Sequence, residues 1–313
     1  MSSTVSKRSG SGTPRFWRVF RGSAVTVVSG VVLVTMVGLS LVAPWVAPQD
    51  PYDLATLDIL DAELPPFWLP GGDPRFVFGT DHQGRDLLST ILYGLRLSLM
   101  IGFFAVALQV LIGVSVGLVA GYFGGVVDGL LMRLADIQMS FSTLMVAIVA
   151  SALFQIAFGP ERYGQLAVVM LIVVIGLAEW PQYARTVRAA VLAEKSKEYV
   201  DAVRVLGLPA WRIMIGHILP NSLSPLFVLS TVQVANAVVS EAALSFLGLG
   251  MPPSTPSLGS LIHSGFEYIF SGSWWITVIP GIVLVTLILV INLLGDSLHD
   301  ALNPRLSRGE GGR

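Results

Sequence analysis

Stretches with no charged side chain alternate along this chain with short polar segments. A helix needs about 20 apolar residues to cross the hydrocarbon core of a bilayer, so the charge-free runs predict membrane spans. The first run, Gly22 to Gln49, predicts a span over about 24–45. The second lies within 97–127 and the third within 137–160. The run 163–178 is too short alone, so the fourth helix must continue through Trp180-Pro181 into more polar sequence. Runs at 218–240 and 268–295 predict the fifth and sixth. The pattern is that of an all-α polytopic membrane protein with six transmembrane helices. It divides into a tail (1–23), a first helix (24–46), an acidic external loop (47–90), a five-helix core (91–300) and a second tail (301–313).

Composition supports this reading. Of 313 residues, 53% are hydrophobic and only 12% charged, against about a quarter charged in soluble domains. The 32 glycines and 18 prolines fit helices in lipid, where both are tolerated. The first apolar run is longer than the core of a cleaved signal, and Ala43-Pro44-Trp45 is a poor cleavage context. An uncleaved first helix is expected.

Several chemistries are excluded. Without cysteine there are no disulfides, thiolate metal sites or thiol nucleophiles. The three lysines, Lys7, Lys195 and Lys197, do not follow glycine, so no phosphate-binding loop is present and the chain is not itself an ATPase. His82, His217, His263 and His299 lack zinc-site spacing. Gly121-Tyr-Phe-Gly-Gly125 follows no strand and reads as a helix end. Two carboxylates fall in or near spans, Glu179 beside Trp180-Pro181 and Glu241 toward the outer end of helix five, neither with an evident partner.

Basic residues set the orientation. The first tail carries Lys7, Arg8, Arg15, Arg18 and Arg21. Arg133, six residues between helices four and five, and Arg305, Arg308 and Arg313 bring that side to 15 of the 19 Lys and Arg. That side is expected to be cytoplasmic, with both termini inside. The external loop holds eight Asp and Glu against two Arg, and reads either as a solvated acidic face or as a docking surface.

The cytoplasmic segment between helices four and five has its own pattern. Residues 192–206 predict a helix with Tyr199, Val200, Val203 and Leu206 as its apolar set. Gly207 is placed to end it in the left-handed conformation and Pro209 to start another. Trp211, Met214, Ile215 and Ile218 then fall on one helical face, and Pro220 breaks the chain before helix five. The result is an elbow of two short helices. Its polar face mixes Glu194, Glu198 and Asp201 with Lys195, Lys197, Arg204 and Arg212, which suits a protein groove better than a lipid surface. Arg133 and Asp136, one turn apart, predict a local ion pair.

Asp201-Ala-Val-x-x-x-Gly207, followed after nine residues by His217-Ile-Leu-Pro220, resembles the EAA loop of ABC-importer permeases, here about 192–220. The segments Phe78-Gly-Thr-Asp-His-Gln-Gly-Arg-Asp86, Tyr93-Gly-Leu-Arg-Leu-Ser98, Gly121-Tyr-Phe-Gly-Gly-x-x-Asp128, Met132-Arg-x-x-Asp136, Glu241-Ala-Ala-Leu-Ser-Phe-Leu-Gly-Leu-Gly250 and Asn292-Leu-Leu-Gly-Asp-x-Leu-x-Asp300 are similar to those of the dipeptide/oligopeptide/nickel permeases. The whole set looks like their second, C-type, subunit. Departures include Asp201 for Glu, Val203 for Ala, Leu258 for Trp in Ser257-Leu-Gly259, and His299 and Asn303 for Arg and Asp.

The resemblance implies a type I ABC importer permease fold in the bacterial inner membrane, with a coupling-helix elbow. It implies a heterodimer with a sister permease, two cytoplasmic ATPase domains that use ATP and Mg, and an extracytoplasmic solute-binding protein. It assigns Glu198, Asp201, Ala202, Arg204, Gly207, Pro209 and Arg212 to ATPase coupling, with no cofactor, metal or nucleic acid bound by this chain. Glu241, Arg133 and Asp136 are candidates for the translocation path or its gate. A self-sufficient secondary transporter or channel is the alternative.

Overall fold

The computed structural model describes residues 23–53 and 57–302. The basic residues of both tails, and Asn303, lie outside the described residues. From the amino end the helices are α1 (Ala24–Leu41), α2 (Leu87–Phe123), α3 (Gly125–Met139) and α4 (Thr143–Gly159). Then come α5 (Arg162–Glu194), the short α6 (Glu198–Val205), α7 (Ser224–Phe246), α8 (Leu258–Phe266) and α9 (Trp275–Leu302). Among the described residues, α1, α2, α5, α7 and α9 are long and apolar enough to cross a bilayer. The pair α3–α4, bent by 85°, makes six when counted as one span.

Several span boundaries differ from the sequence expectation. The second span begins at Leu87, not near 97, because Asp86 caps it by accepting from the Ser89 amide at 2.8 Å. The loop before it therefore ends at Asp86, and Arg96 lies inside α2. The third span is not one helix over 137–160, since the chain turns sharply at Ser140-Phe141-Ser142. Gly159, with φ 72°, separates α4 from α5, and α5 continues through Trp180-Pro181 as expected. Helix five starts at Ser224, not 218, and helix six at Trp275, not 268.

The two larger of three apolar cores among the described residues hold the bundle together. One joins Ile101 and Ala105 of α2, Met170, Leu171 and Ile175 of α5, Leu244 of α7, and Val200, Ile213 and Ile218 of the elbow. The other joins Leu87, Ile91 and Leu95 of α2 to Val238 of α7, Leu258 and Leu261 of α8, and Ile276 and Leu287 of α9. Helices α2 and α5 run parallel and close, because glycines at every fourth position of α2 admit the α5 backbone. A Cβ on Gly113 would stand 2.3 Å from Tyr183 Cβ, and one on Gly117 2.4 Å from the Ala184 carbonyl oxygen. Helix association in lipid depends on such small-residue faces. Replacing Gly117 with valine is expected to cost about 1–3 kcal/mol through forced separation of the helices. The same change at Gly129, where nothing lies within 4 Å of an added Cβ, should be nearly silent. Thermal unfolding of the purified protein in detergent compares the two.

These pairings give the molecule two ends. At the elbow end lie the carboxyl ends of α2 and α5 and residues 195–223. At the loop end lie 47–86, the α4–α5 junction and 247–274. The loop is more than a solvated acidic face. Asp81 and Arg85 form a buried pair at 2.6 Å, and Arg85 also donates to the Pro253 carbonyl at 3.2 Å. Trp275 Nε1 donates to the Thr80 carbonyl, and Ser273 Oγ to Glu63. The buried part coincides with the Phe78–Asp86 segment. Ile59, Leu60, Phe67 and Trp68 face outward. Desolvation holds the His82 imidazole, stacked on Tyr268, below its ordinary value.

Candidate functional site

The elbow is built from backbone ends. Helix α5 stops at Glu194, and Lys195 Nζ then donates to the Gly121 carbonyl at 2.8 Å, placing a cation on the carboxyl end of α2. The expected continuous helix over 192–206 is thus broken. Lys197 is extended, its ammonium returns to Glu194 at 2.5 Å, and Tyr199 Oη donates to the same carboxylate at 2.7 Å. These contacts compensate the interruption and let α6 restart at Glu198. Asn221 Nδ2 reaches Tyr199 Oη at 3.1 Å, so one tyrosine pins both arms of the elbow.

Helix α6 ends as its sequence requires. Gly207 has φ 77°, its amide donates to the Arg204 carbonyl, and the Leu208 amide donates to Val203 at 3.3 Å. This paired closure needs the left-handed conformation at Gly207. Pro209 precedes the next helical turn, Ala210–Ile213, as its cap rather than as its first residue. A wide π-type turn over Met214–Ile218 follows and shifts the register, so the expected apolar face is rearranged. Ile213 and Ile218 are buried, whereas Trp211 and Ile215 point outward. Leu206, expected on the buried set, is 76% exposed beside Val205 at 88%.

All seven coupling candidates, Glu198, Asp201, Ala202, Arg204, Gly207, Pro209 and Arg212, are exposed on this elbow. Glu198 and Asp201 stand in the first turn of α6, complementing its dipole. Arg204 pairs with Asp201 at 3.3 Å and lies 5.4 Å from the Tyr122 ring centroid. Arg212 lies 5.1 Å from that of Trp211. The elbow thus presents an apolar tip (Val205, Leu206, Trp211) ringed by charges of both signs.

The gate candidates are not brought together. Asp136 pairs with Arg185 of α5 rather than with Arg133, which forms no ion pair among the described residues. Opposite Asp136, α5 supplies a partner that a reading of α3 alone could not anticipate. One turn further along α5, Arg188 binds Asp128 through two contacts, the longer 2.6 Å. Glu241 is fully buried at the loop end. It accepts from Ser98 Oγ at 2.7 Å and Ser245 Oγ at 2.8 Å, and Ser98 Oγ in turn accepts from the Leu258 amide. The carboxyl absent of an evident partner in the sequence therefore ties α2, α7 and α8 together.

Sequence reasoning missed a lane of polar side chains gathered around Glu179 at mid-depth. Thr143 Oγ1 donates to Glu179 at 2.6 Å and Gln182 Nε2 at 2.7 Å, while Gln233 Nε2 lies 3.5 Å away. Asn236, exposed on α7, donates to Gln233 at 2.8 Å. A cavity of about 240 Å³ opens beside Glu179, lined also by Gln138, Thr143 and Gln182. Lipid-facing positions at this depth disfavour polar groups, so this face suits a protein partner or a water-filled path. The amides were legible as polar interruptions of apolar runs, but counting charges alone passed over them.

Comparison with known proteins places these features in a family. Residues 113–308 match the model of the binding-protein-dependent transport system inner membrane component. The chain belongs to this family. Residues 13–66 match the N-terminal transmembrane domain of oligopeptide transport permease C. The chain is 37% identical to the dipeptide transport system permease protein DppC of Haemophilus influenzae, across 94% of this chain and 95% of that one. It is 39% identical to the di/tripeptide transport system permease protein DppC of Pseudomonas aeruginosa, across 93% and 91%. Against the Escherichia coli (strain K12) dipeptide permease DppC the identity is 40%, across 94% and 93%. Among solved structures, inward-facing MetNI methionine ABC transporter resembles it with TM-score 0.54 and 20% identity, over 69% of this chain and 98% of that one. This permease thus has the type I importer fold and is a multi-pass inner-membrane protein.

Proposed function

We propose that this permease is half of a heterodimeric path in an ATP-driven importer of dipeptides or oligopeptides. The peptide relatives, matched almost end to end, support the cargo class. The observation that carries the coupling role is the elbow: seven exposed candidates around an apolar tip, mounted on core residues Val200, Ile213 and Ile218. Two partner ATPase domains, using ATP and Mg, would seat this tip. Their closure would push the elbow against the ends of α2 and α5, to which Lys195 and Tyr199 fasten it. The elbow end, with most of the described basic residues, is then cytoplasmic, as are both tails. A solute-binding protein would deliver peptide at the loop end, where Ile59, Leu60, Phe67 and Trp68 are exposed. The path would run between the sister permease and the polar lane of α4, α5 and α7.

Reconstitution in liposomes tests this reading. Peptide uptake should require the sister permease, the ATPases, the binding protein and ATP together. Uptake by this chain alone, driven by an ion gradient, would establish the secondary-carrier alternative instead.

A further inference from the structure

The polar lane contains one carboxylate, Glu179, and every side chain bonded to it is neutral. The nearest arginines on its own helix are already committed, Arg185 to Asp136 and Arg188 to Asp128. No ion pair to Glu179 occurs among the described residues. Yet it stands near the middle of α5, 17 residues after Arg162 and 15 before Glu194. Ionisable groups at such depth are rare and mark transport paths or relays. Two features make the charge tolerable without a counter-ion. The amino end of α4 meets it through Thr143, and a helix amino end favours negative charge. The adjoining cavity of about 240 Å³ leaves Glu179 only half-buried.

A negative site with no resident cation is suited to a cationic guest. The surrounding groups narrow the choice. Thr143, Gln182 and Gln233 direct donors at the carboxylate, so one carboxylate and a few amide oxygens remain as acceptors. That set is sparse for Ca²⁺, whose sites draw six to eight oxygen ligands. An ammonium group, a compact cation with three donors, fits better. Building on the peptide-importer reading, we propose that Glu179 binds the α-ammonium group of the peptide in transit, with Gln138 and Gln182 completing its hydrogen bonds. The permease then reads the amino end of its cargo itself.

The test uses the assembled complex in liposomes, with binding protein, ATP and radiolabelled dialanine. Glu179→Gln keeps the size of the side chain but removes its charge and replaces one acceptor oxygen with a donor. Maximal uptake should fall about tenfold to a hundredfold, the usual worth of one charge-assisted hydrogen bond. Binding-protein-stimulated ATP hydrolysis should persist, which a merely structural defect would not allow. Unchanged uptake by this variant overturns the proposal and leaves the importer reading intact, because the wild type still imports. A wild-type complex that hydrolyses ATP but takes up no peptide overturns the importer reading and this proposal with it. Should the glutamine variant fail to assemble, Glu179→Asp and Glu179→Asn repeat the comparison on a shorter stem. Aspartate must then exceed asparagine by at least about tenfold, and equality overturns the proposal.

Discussion

Replacing Gly207 with valine is expected to reduce peptide import at least about tenfold, the factor that corresponds to 1.4 kcal/mol, while the complex still assembles. Gly207 has φ 77°, and its amide and that of Leu208 close the last turn of α6. A β-branched residue held in the left-handed region costs about 1–3 kcal/mol. The chain can relieve that strain by opening the closure, because nothing lies within 4 Å of a Cβ at this position to hold it shut. The apolar tip of Val205, Leu206 and Trp211 would then lose its fixed shape. Asparagine tolerates the same conformation, so Gly207→Asn should retain most activity. Asp201→Arg acts differently, since it leaves the backbone alone and places like charge beside Arg204 at the amino end of α6. Both damaging changes should uncouple ATP hydrolysis from uptake. Parallel assays of hydrolysis and uptake on complexes of verified composition check this.

The second large effect is expected at the opposite end. Asp81 and Arg85 retain 1% and 3% of their side-chain exposure. Asp81 Oδ1 also accepts from the amides of Gln83 at 2.8 Å and Arg85 at 3.0 Å. Asp81→Ala removes one partner and leaves a guanidinium buried without its counter-charge, which costs about 3–5 kcal/mol. Arg85 is then free to leave the Pro253 carbonyl, separating the first loop from the segment before α8. A marked fall in thermal stability is expected, together with loss of binding-protein-dependent uptake. Asp81→Leu combined with Arg85→Met removes both charges and should recover much of the stability, because apolar pairs often replace buried ion pairs without loss. If the single change is as stable as the wild type, the loop is not anchored by this pair.

Much of this architecture is written in local pattern. Charge-free runs located the spans, since the lipid core penalises every unpaired polar group. Gly207 marked a turn because few residues enter the left-handed region cheaply. The boundaries that moved were set by partners distant in sequence or by hydrogen bonds that hydropathy does not register. Asp86 extended α2 by capping it, and Glu194 interrupted the elbow by drawing Lys197 and Tyr199 to itself. The choice of Arg185 over Arg133 by Asp136 depends on how α3 packs on α5. Glu241 finds Ser98 143 positions away, across two packed helices. The polar lane depends on α4, α5 and α7 converging, so no single run announces it.

In the proposed function the elbow is the part that engages the ATPases. Because the chain has no cysteine, Leu206→Cys introduces its only thiol at the exposed tip. In complexes whose other subunits are cysteine-free except for one ATPase groove position, disulfide cross-linking reads the contact directly. A cross-link is expected from Leu206→Cys to the ATPase, with a yield that changes on adding ATP, and none from Ile59→Cys at the loop end. An ATPase cross-link from Ile59→Cys, with none from Leu206→Cys across a scan of groove positions, would contradict it.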